Sequence, residues 1–534
     1  MSAVVVGGHL TPADVAAVAR GGATVEISDQ ARERVRTSRE RVESVIESGQ
    51  AVYGINTGFG ELVSERIPRA DLEQLQTNLV RSHASGAGET LDREAVRALL
   101  LSRLHALSLG YSGVRETVVD HLATMLNEGI HPIVRSTGSL GASGDLAPLA
   151  HLALVLLGEG EAVVDDKDGR LPGAAALSEG GLKPLSLAPK EGLALINGTQ
   201  LTVGLGALAV VDAEQLLEVA DAAGALSTEV GMGTTVTSNE AIASARPHPG
   251  HATSAANVRR LTADSEIVES HRNCDRVQDA YSLRCLPQVH GAAREAVAHL
   301  REGVLTELNS ATDNPLIFGA GEVGPHTNQT ERAAVVSGGN FHGAPLAHRL
   351  EYADSALTDL AAISERRVDQ LLNPNLQEPH LPPFLARESG LESGLMIAQY
   401  TAAALLNECR ATGSAATDNT PVSGGQEDHV SMSATSAMAL ADTVERVRSV
   451  LAIELLCACE AAEYVDDALD HGRGTAAVYE TVREVVPRLD SDRPLAGDID
   501  AIAATIHGGL LRERITDSIQ GGFAALDTAR NPDL

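Results

Sequence analysis

Apolar residues recur at helical spacing over long stretches of this 534-residue chain. The clearest stretch places Leu440, Val444, Val447, Leu451 and Leu455 on one helix face over four turns. Segments with the same periodicity cover residues 200–222, 290–310, 331–371 and 393–411. Aromatic residues make up only 2% of the chain, so aliphatic side chains must fill the core, which suits helix-on-helix packing. We predict a mainly α protein built around a long-helix bundle.

Three polar, glycine-containing segments interrupt the helical pattern, at residues 52–61, 136–145 and 418–429. Such breaks between strong helices commonly carry functional residues. Strand signals are sparse, and the clearest is a hairpin of residues 161–164 with 170–176. We expect a smaller N-terminal domain over residues 1–200 and a central and C-terminal helical bundle over residues 201–534.

The formal charge of the chain is −31 at pH 7. Nucleic acids and anionic membranes bind clustered lysine and arginine, so we expect neither as a partner. Lys167, Lys183 and Lys190 are the only lysines and lie in one Gly-rich stretch, which excludes a P-loop and disfavours a pyridoxal phosphate enzyme. An acidic surface with arginine in place of lysine fits either a protein of a very salty cytoplasm or a GC-rich bacterial origin.

The five cysteines have no spacing that indicates a disulfide framework or a zinc site. We interpret Cys457 and Cys459 as small apolar core residues, and we expect no metal. The N-terminus lacks a basic region followed by an apolar stretch, and no apolar run approaches the ~18 residues that a membrane span needs. These features predict a cytoplasmic protein.

The segment Gly141-Ala142-Ser143-Gly144-Asp145 stands directly before an apolar helix predicted over residues 146–157. Taken alone it is an ordinary turn of small residues, in which Asp145 is a suitable N-cap. A serine nucleophile elbow of the GxSxG type does not fit, because Asp145 occupies the position of the second glycine.

The chain contains ten distinctive sequence blocks, one of which includes this segment. They are LTPADVAAVARGGATVEIS, VYGINTGFGEL, RSHASGAGE, TGSLGASGDLAPLAH, LINGTQ, VQDAYSLRCLPQVHG, TDNPLIF, SGGNFHG, SGLMIAQ and QEDHVSM. In content, order and spacing these blocks resemble the aromatic amino acid ammonia-lyases, and among them the histidine ammonia-lyases. The resemblance implies that Ala142, Ser143 and Gly144 cyclise autocatalytically into a 4-methylidene-imidazol-5-one ring, with no external cofactor. The N-terminal domain would therefore carry the electrophile.

The family's chemistry explains why such a ring is needed. Elimination of ammonia breaks a bond to a poor leaving group, and ordinary side chains include no strong electrophile. In the family, the Gly144 nitrogen would attack the Ala142 carbonyl carbon, and loss of two waters would leave Ser143 as a dehydroalanine. Glycine suits this step because it has no Cβ and has the backbone freedom for a tight turn.

The resemblance assigns further roles near the ring. Tyr53 would abstract the β-hydrogen of the substrate, and its Gly-rich surroundings are expected to form a mobile lid that excludes water. Asn197 would donate a hydrogen bond near the ring and the substrate carboxylate. Phe341 would pack against the ring.

His83, Glu427 and Met396 bear on the choice of substrate. Histidine lyases carry Ser-His-Ala at the position of residues 82–84, whereas phenylalanine lyases have an apolar residue and tyrosine lyases pair His with Leu. His83 would hydrogen-bond an imidazole, and Glu427 would offer a carboxylate to the ring or the amino group of the substrate. Phenylalanine would leave both groups unpaired. Met396 would line the substrate ring.

The substrate carboxylate is expected to be held by Arg284 through a bidentate contact, with Tyr281 and Gln278 helping to place it. The resemblance also implies a homotetramer with active sites shared between three chains. On that basis Tyr53 and His83 would meet Arg284 and Glu427 only after assembly.

The predicted reaction converts L-histidine to trans-urocanate and ammonia, the first step of histidine degradation. Two alternatives remain at this point. One is a phenylalanine or tyrosine ammonia-lyase, or an aminomutase, that uses the same ring. The other is a non-enzymatic binding protein on the same fold, which would not lose the two waters.

Overall fold

The computed structural model of the protein describes residues 3–49, 52–57, 67–272, 274, 276–324, 328–417 and 419–526. The chain is 58% helical, so the prediction of a mainly α fold with long helices is confirmed. The helices are α1 (Pro12–Ala19), α2 (Asp29–Ser48), α3 (Leu72–His83), α4 (Arg93–Ser108), α5 (Glu116–Asn127), α6 (Leu146–Leu156), α7 (Gly173–Glu179), α8 (Glu191–Ile196), α9 (Gln200–Val230), α10 (Glu240–Ala245), α11 (Pro249–Leu261), α12 (Glu266–Ser270), α13 (Tyr281–Arg284), α14 (Leu286–Leu308), α15 (Ala344–Leu372), α16 (Met396–Arg410), α17 (Ser433–Ala462), α18 (Arg473–Val485), α19 (Ala496–His507) and α20 (Leu510–Ser518).

The strands are short and lie between the helices. They are β1 (Val4–Val6), β2 (Val25–Ile27), β3 (Ala87–Thr90), β4 (Ile130–Pro132), β5 (Arg135–Thr137), β6 (Glu161–Val164), β7 (Leu171–Pro172), β8 (Leu316–Gly319), β9 (Asn328–Gln329) and β10 (Ala333–Val336). β1 pairs with β2 in parallel, β3 pairs with β5, and the three-stranded sheets have the orders β4-β6-β7 and β8-β10-β9. The predicted hairpin is β6–β7, but its second strand is shorter than expected because the chain turns into α7 at Gly173.

We predicted a helix over residues 331–371, and the prediction is wrong for the residues before Ala344. Residues Ala333–Val336 form β10, which pairs antiparallel with β8 in the register Ala333 with Gly319 and Val336 with Leu316. The run of alanine and valine fits a strand as well as a helix, and the pairing partner decides between them. The helix α15 begins only at Ala344, after the glycines at 338, 339 and 343.

The chain forms two compact units that are discontinuous in sequence. The first contains residues 1–211, 300–351 and 414–438, and the second contains residues 212–299, 352–413 and 439–534. Four of the five boundaries fall within the long helices α9, α14, α15 and α17, and the fifth follows α16. A compact unit is not the same as a domain, so the division into 1–200 and 201–534 stays a prediction. The units differ from it because two later segments pack with the N-terminal part.

Local sequence signals explain where several helices begin and end. Thr11 and Asp14 form a capping box at the start of α1, and Ser28 and Asp92 accept backbone N–H groups at the starts of α2 and α4. Gly49 ends α2 in the left-handed conformation. Helix α4 is buried along its length from Ala95 to Ser108, arginines included, so it forms the interior of the first unit.

A buried network of charged side chains lies inside the second unit. Arg367 and Glu454 have no exposed side-chain surface and form a bidentate ion pair, with an Nη2–Oε2 distance of 2.8 Å. Ser227 and Ser364 each donate a hydroxyl hydrogen bond to the Glu454 carboxylate, at 2.8 and 2.6 Å. Arg367 also lies 3.2 Å from a nitrogen of the buried His290. The carboxylate and the guanidinium thus compensate each other where water cannot reach.

The cysteines follow the prediction from sequence. Cys457 and Cys459 are fully buried in α17, and all five thiols are free. Burial raises the pKa of the Cys459 thiol to about 12, so it remains protonated at neutral pH. Across the described ranges, no group of His, Cys, Asp and Glu side chains is arranged to hold a metal, and no helix has the length and apolar character to cross a membrane.

We expect Glu454→Gln to lower the free energy of unfolding by about 3–5 kcal/mol, because it leaves the Arg367 guanidinium buried without a counter-charge. Urea denaturation measures the effect. The matched control is Glu269→Gln, which breaks the exposed ion pair with Arg272 and should cost less than about 1 kcal/mol. Equal losses in the two variants would contradict a structural role for the buried pair.

Candidate active site

A cavity of about 700 Å³ lies in the first unit. Seven of the residues predicted from the sequence line it: Tyr53, His83, Ala142, Ser143, Asn197, Phe341 and Glu427. They come from six separate segments, mostly the ends of helices and the breaks between them. Packing of the helices therefore brings the predicted functional residues of this unit to one place, and the cavity is the candidate active site.

Glu427 lies in the same cavity as Tyr53 and His83 within a single chain. The expectation that these residues meet only after assembly is therefore wrong for Glu427. Residues 414–438 belong to the first compact unit, although they follow a long stretch of the second. The order of the sequence blocks did not indicate that residues 414–438 pack with the N-terminal part of the chain.

The Ala142-Ser143-Gly144 tripeptide lies in a turn that requires glycine at its end. Gly144 has a φ of +75°, and a Cβ atom built on it would lie 2.2 Å from the Gly198 carbonyl oxygen. The next residue, Asp145, donates its backbone N–H to the same oxygen at 2.7 Å. Two stretches of backbone thus approach each other more closely than any side chain would permit.

Asp145 stands at the start of α6, but its carboxylate does not cap that helix. It accepts the backbone N–H of Thr202 at 2.9 Å and the hydroxyl of Ser139 at 2.8 Å. Asp145 thus occupies the predicted N-cap position of α6, but its fully buried side chain bonds to Ser139 and to α9 instead of capping the helix. Burial raises the pKa of Asp145, and the hydrogen bonds to Thr202 and Ser139 oppose that shift.

Asn197 and Glu427 each make a hydrogen bond to Ser143. The Asn197 side chain donates from Nδ2 to the Ser143 carbonyl oxygen at 2.7 Å. The Ser143 hydroxyl donates to Glu427 Oε1 at 2.5 Å. Glu427 is held in turn by its backbone, since its carbonyl accepts the N–H of Val422 at 3.0 Å. An amide donor and a carboxylate are thus fixed on the central residue of the tripeptide.

His83 is the last residue of α3 and is half-buried at the cavity wall. Its Nδ1 atom lies 2.9 Å from the Leu79 carbonyl oxygen, which requires a hydrogen on that nitrogen. Burial lowers the pKa of His83, while the Leu79 carbonyl and the negative charge of Glu427 oppose the shift. The lowered pKa favours the neutral ring, and a neutral ring with its hydrogen on Nδ1 has Nε2 as its acceptor nitrogen.

Tyr53 and Phe341 are half-buried at the cavity. Tyr53 precedes Gly54, whose φ is +76° and whose added Cβ would lie 2.7 Å from Cδ of Pro315. This close approach fixes the backbone beside Tyr53. The rest of the Gly-rich segment, residues 58–61, lies outside the described residues, so the lid stays a prediction.

The four remaining predicted residues belong to the second unit. The Arg284 guanidinium donates a hydrogen bond to Gln278 Oε1, so these two side chains are neighbours. Tyr281, at the start of α13, has 73% of its surface exposed. Met396 is the first residue of α16 and is half-buried. The roles of all four toward a substrate stay predictions.

Comparison with known proteins fits this arrangement. The family model for the aromatic amino acid lyases matches residues 10–484. The chain belongs to the aromatic amino acid lyase family. A Halobacterium salinarum protein named "Probable histidine ammonia-lyase" is 58% identical over 521 residues, which are 98% of this chain and 99% of that protein.

Two solved structures of the family resemble the chain over nearly their full length. The histidine ammonia-lyase of Trypanosoma cruzi is 39% identical with a TM-score of 0.88, covering 98% of this chain and 96% of that one. The tyrosine aminomutase of Streptomyces globisporus is 36% identical with a TM-score of 0.90, covering 98% and 100%. The lyase fold is thus shared by members that act on different amino acids.

Two histidines that line the cavity were not predicted from the sequence. His342 and His429 both line the cavity, and their rings stack with centroids 5.8 Å apart and planes 6° apart. His342 accepts the Ala344 N–H at Nδ1, and its Nε2 lies 3.2 Å from the His429 carbonyl oxygen. Both residues stood inside the quoted blocks SGGNFHG and QEDHVSM, next to Phe341 and Glu427, which was the available signal.

We expect Gly144→Ala to lower the free energy of unfolding more than Gly169→Ala. Both glycines have a φ of +75°, so each substitution carries the cost of ~1–2 kcal/mol for a left-handed alanine. Gly144 alone faces Gly198, and the overlap adds about 1–3 kcal/mol, whereas nothing lies within 4 Å of a Cβ at Gly169. Equal denaturation midpoints would show that the close backbone approach is not needed.

Proposed function

We propose that the protein is a histidine ammonia-lyase that converts L-histidine to trans-urocanate and ammonia. The observation that carries the proposal is the cavity in which Tyr53, His83, Asn197 and Glu427 surround Ser143 of the tripeptide. The 58% identity to a protein named as a histidine ammonia-lyase over nearly its full length supports the same activity. The reaction would be the first step of histidine degradation, in the cytoplasm, where the five free thiols fit a reducing compartment.

The tripeptide fits the methylidene-imidazolone ring of the family. The Gly144 nitrogen belongs to a residue with no side chain and with a φ of +75°, a left-handed conformation that glycine adopts freely and that suits a tight turn. Ser143 carries the hydroxyl that must leave, and that hydroxyl is bonded to the Glu427 carboxylate. Formation of the ring joins the Gly144 nitrogen to the Ala142 carbonyl carbon and releases two waters. Once formed, the ring supplies the electrophilic alkene that side chains cannot.

Asn197 acts on the Ser143 carbonyl, which remains a carbonyl when the tripeptide cyclises. Its amide N–H donates to that oxygen at 2.7 Å and stabilises negative charge there. Tyr53 removes a proton from the β-carbon of the substrate. Phe341 and the cavity wall exclude water around the reacting atoms.

His83 and Glu427 select an imidazole substrate. With its hydrogen on Nδ1, His83 presents Nε2 as an acceptor for the N–H of a substrate imidazole. Glu427 accepts a hydrogen bond from the ring or the amino group. A phenyl ring has no N–H to offer, so two polar groups would be desolvated without a partner.

A tyrosine aminomutase or ammonia-lyase is the second candidate, favoured by the TM-score of 0.90 to the Streptomyces globisporus enzyme. A tyrosine hydroxyl is a donor to His83 Nε2 as well. The two candidates differ in product. A histidine lyase releases ammonia and urocanate, whereas an aminomutase returns a β-amino acid with no free ammonia.

We expect the purified protein to have lost two waters by intact mass and to form urocanate from L-histidine but no product from L-phenylalanine or L-tyrosine. Ser143→Ala should have the mass of the unmodified variant chain, and its turnover should be at least ~1,000-fold lower, because the alkene cannot form. Ser136→Ala, in the same Gly-rich segment but outside the cavity, is the control.

The assay is run at low and multimolar salt, because a charge of −31 and the Halobacterium salinarum relative favour adaptation to a salty cytoplasm. The proposal would be overturned if an active wild-type enzyme had the mass of the unmodified chain, with no loss of two waters. It would also be overturned if Ser143→Ala kept its turnover.

The active protein is a homotetramer in which other chains contribute Arg284, Tyr281, Gln278 and Met396 to each cavity. Large apolar side chains are exposed on the second unit near these residues, including Val277 at 93%, Ile397 at 57% and Tyr400 at 63%. Exposure of several large apolar side chains beside the predicted site residues in sequence supports an interface between chains here.

We expect Tyr400→Glu to shift the protein from tetramer to smaller species in sedimentation velocity and to reduce urocanate formation in parallel, since a buried unpaired charge opposes association. Val485→Glu adds the same charge at another exposed position of the second unit and should remain tetrameric and active. A monomeric Tyr400→Glu variant with full activity would contradict the shared site.

A further inference from the structure

Arg103 is a fully buried arginine that makes one hydrogen bond within the described part of the chain, and its acceptor belongs to Asn197 at the active site. It lies in α4, with no exposed surface, and its Nη2 donates to the Asn197 carbonyl oxygen at 2.5 Å. Its Nε and Nη1 atoms have no hydrogen-bond partner among the described residues. Burying a guanidinium with most of its donors unused is costly, so its presence calls for a functional explanation.

Arg103 remains a cation at neutral pH in this environment. Burial lowers its pKa to about 10, and the negative charges of Asp313 and Asp145 oppose the shift. Asp313 is itself bonded to Lys190 at 2.6 Å, with both side chains buried. A fixed positive charge therefore stands beside the Asn197–Gly198 segment, where little water screens it.

The Asn197–Gly198 segment makes two hydrogen bonds at the tripeptide, one to Ser143 and one to Asp145, the residue that follows it. The Asn197 side chain donates to the Ser143 carbonyl, and the Gly198 carbonyl accepts the N–H of Asp145. Arg103 Nη2 lies 3.1 Å from the position of a Cβ atom built on Gly198, so it lies close to this residue too. The guanidinium is bonded to the carbonyl that stands between the Asn197 side chain and the Gly198 carbonyl.

We propose that Arg103 is a positioning residue for the electrophile, acting through Asn197. It fixes the Asn197 carbonyl, so that the Asn197 amide points at the Ser143 carbonyl during cyclisation and during turnover. This inference rests on the proposed function, because it concerns the ring formed from the tripeptide. Arg103 touches neither the substrate nor the reacting atoms in this account.

Arg97 provides a matched control on the same helix. It is also buried, with 3% of its surface exposed, and its guanidinium likewise donates to backbone carbonyls, those of Val18 at 2.8 Å and Leu126 at 3.0 Å. These carbonyls do not belong to residues that line the cavity. Arg97→Met and Arg103→Met thus remove the same group from one buried helix, and only the second removes support from Asn197.

The experiment compares wild type, Arg97→Met and Arg103→Met as full-length proteins. Intact mass measures the fraction that has lost two waters, ultraviolet absorption reports the ring, and L-histidine turnover gives kcat and KM. For Arg103→Met we expect a smaller mature fraction, a shifted ring absorption and a kcat lowered ~10- to 100-fold with little change in KM, because a hydrogen bond from a charged donor is lost. Arg97→Met should lower the melting temperature and keep wild-type maturation and kcat.

Arg103→Lys tests the same idea if Arg103→Met does not fold. It keeps the buried positive charge but loses the planar guanidinium that reaches Asn197. A shifted ring absorption and a lowered kcat support the positioning role. Wild-type maturation, absorption and kcat in a folded Arg103 variant overturn it. Wild-type protein that lacks the two-water loss refutes the proposed function instead, so the two failures are distinguishable.

Discussion

The site depends on the contact between two backbone segments, Ser143 to Asp145 and Asn197 to Gly198. One carbonyl oxygen, that of Gly198, accepts the Asp145 N–H and lies where a side chain at Gly144 would have to be. Such an approach is open only to glycine, and it is stable only if the surrounding structure holds both segments. Buried polar side chains on α4 and around α9 do this, because a carbonyl or carboxylate in the interior needs a partner.

A helical protein with few aromatic residues builds its chemistry at helix ends and between helices. His83 ends α3, Asn197 follows α8, and Glu427 precedes α17. Within a helix the backbone groups are already paired, whereas at its ends N–H and carbonyl groups and side chains are available for other contacts. The long helices supply rigidity, and the ion pair of Arg367 with Glu454 shows that they tolerate buried charge when it is compensated.

The helices were predictable because apolar residues at a spacing of three and four mark one buried face, as in α17. Prediction failed where a short apolar run fits two structures, as in β10, and where a side chain has a choice of partners, as with Asp145. The tripeptide and five further residues that line the cavity were recognised through a family resemblance. His342 and His429 stood inside the recognised blocks but were not singled out. Arg103 was missed because nothing local in the sequence distinguishes a residue that supports the cavity from one that fills the core.

The sequence by itself determined the helical class of the protein, its acidic character and the candidate residues for the chemistry, because these follow from local periodicity, composition and recognisable blocks. Only the tertiary structure decided that Glu427 joins His83 and Ser143 within one chain, that His83 Nδ1 faces the Leu79 carbonyl, and which groups Asp145 and Arg103 contact. Those outcomes depend on contacts between residues far apart in the chain. The energies of such contacts arise only when packing removes water and leaves each buried polar group a small choice of partners.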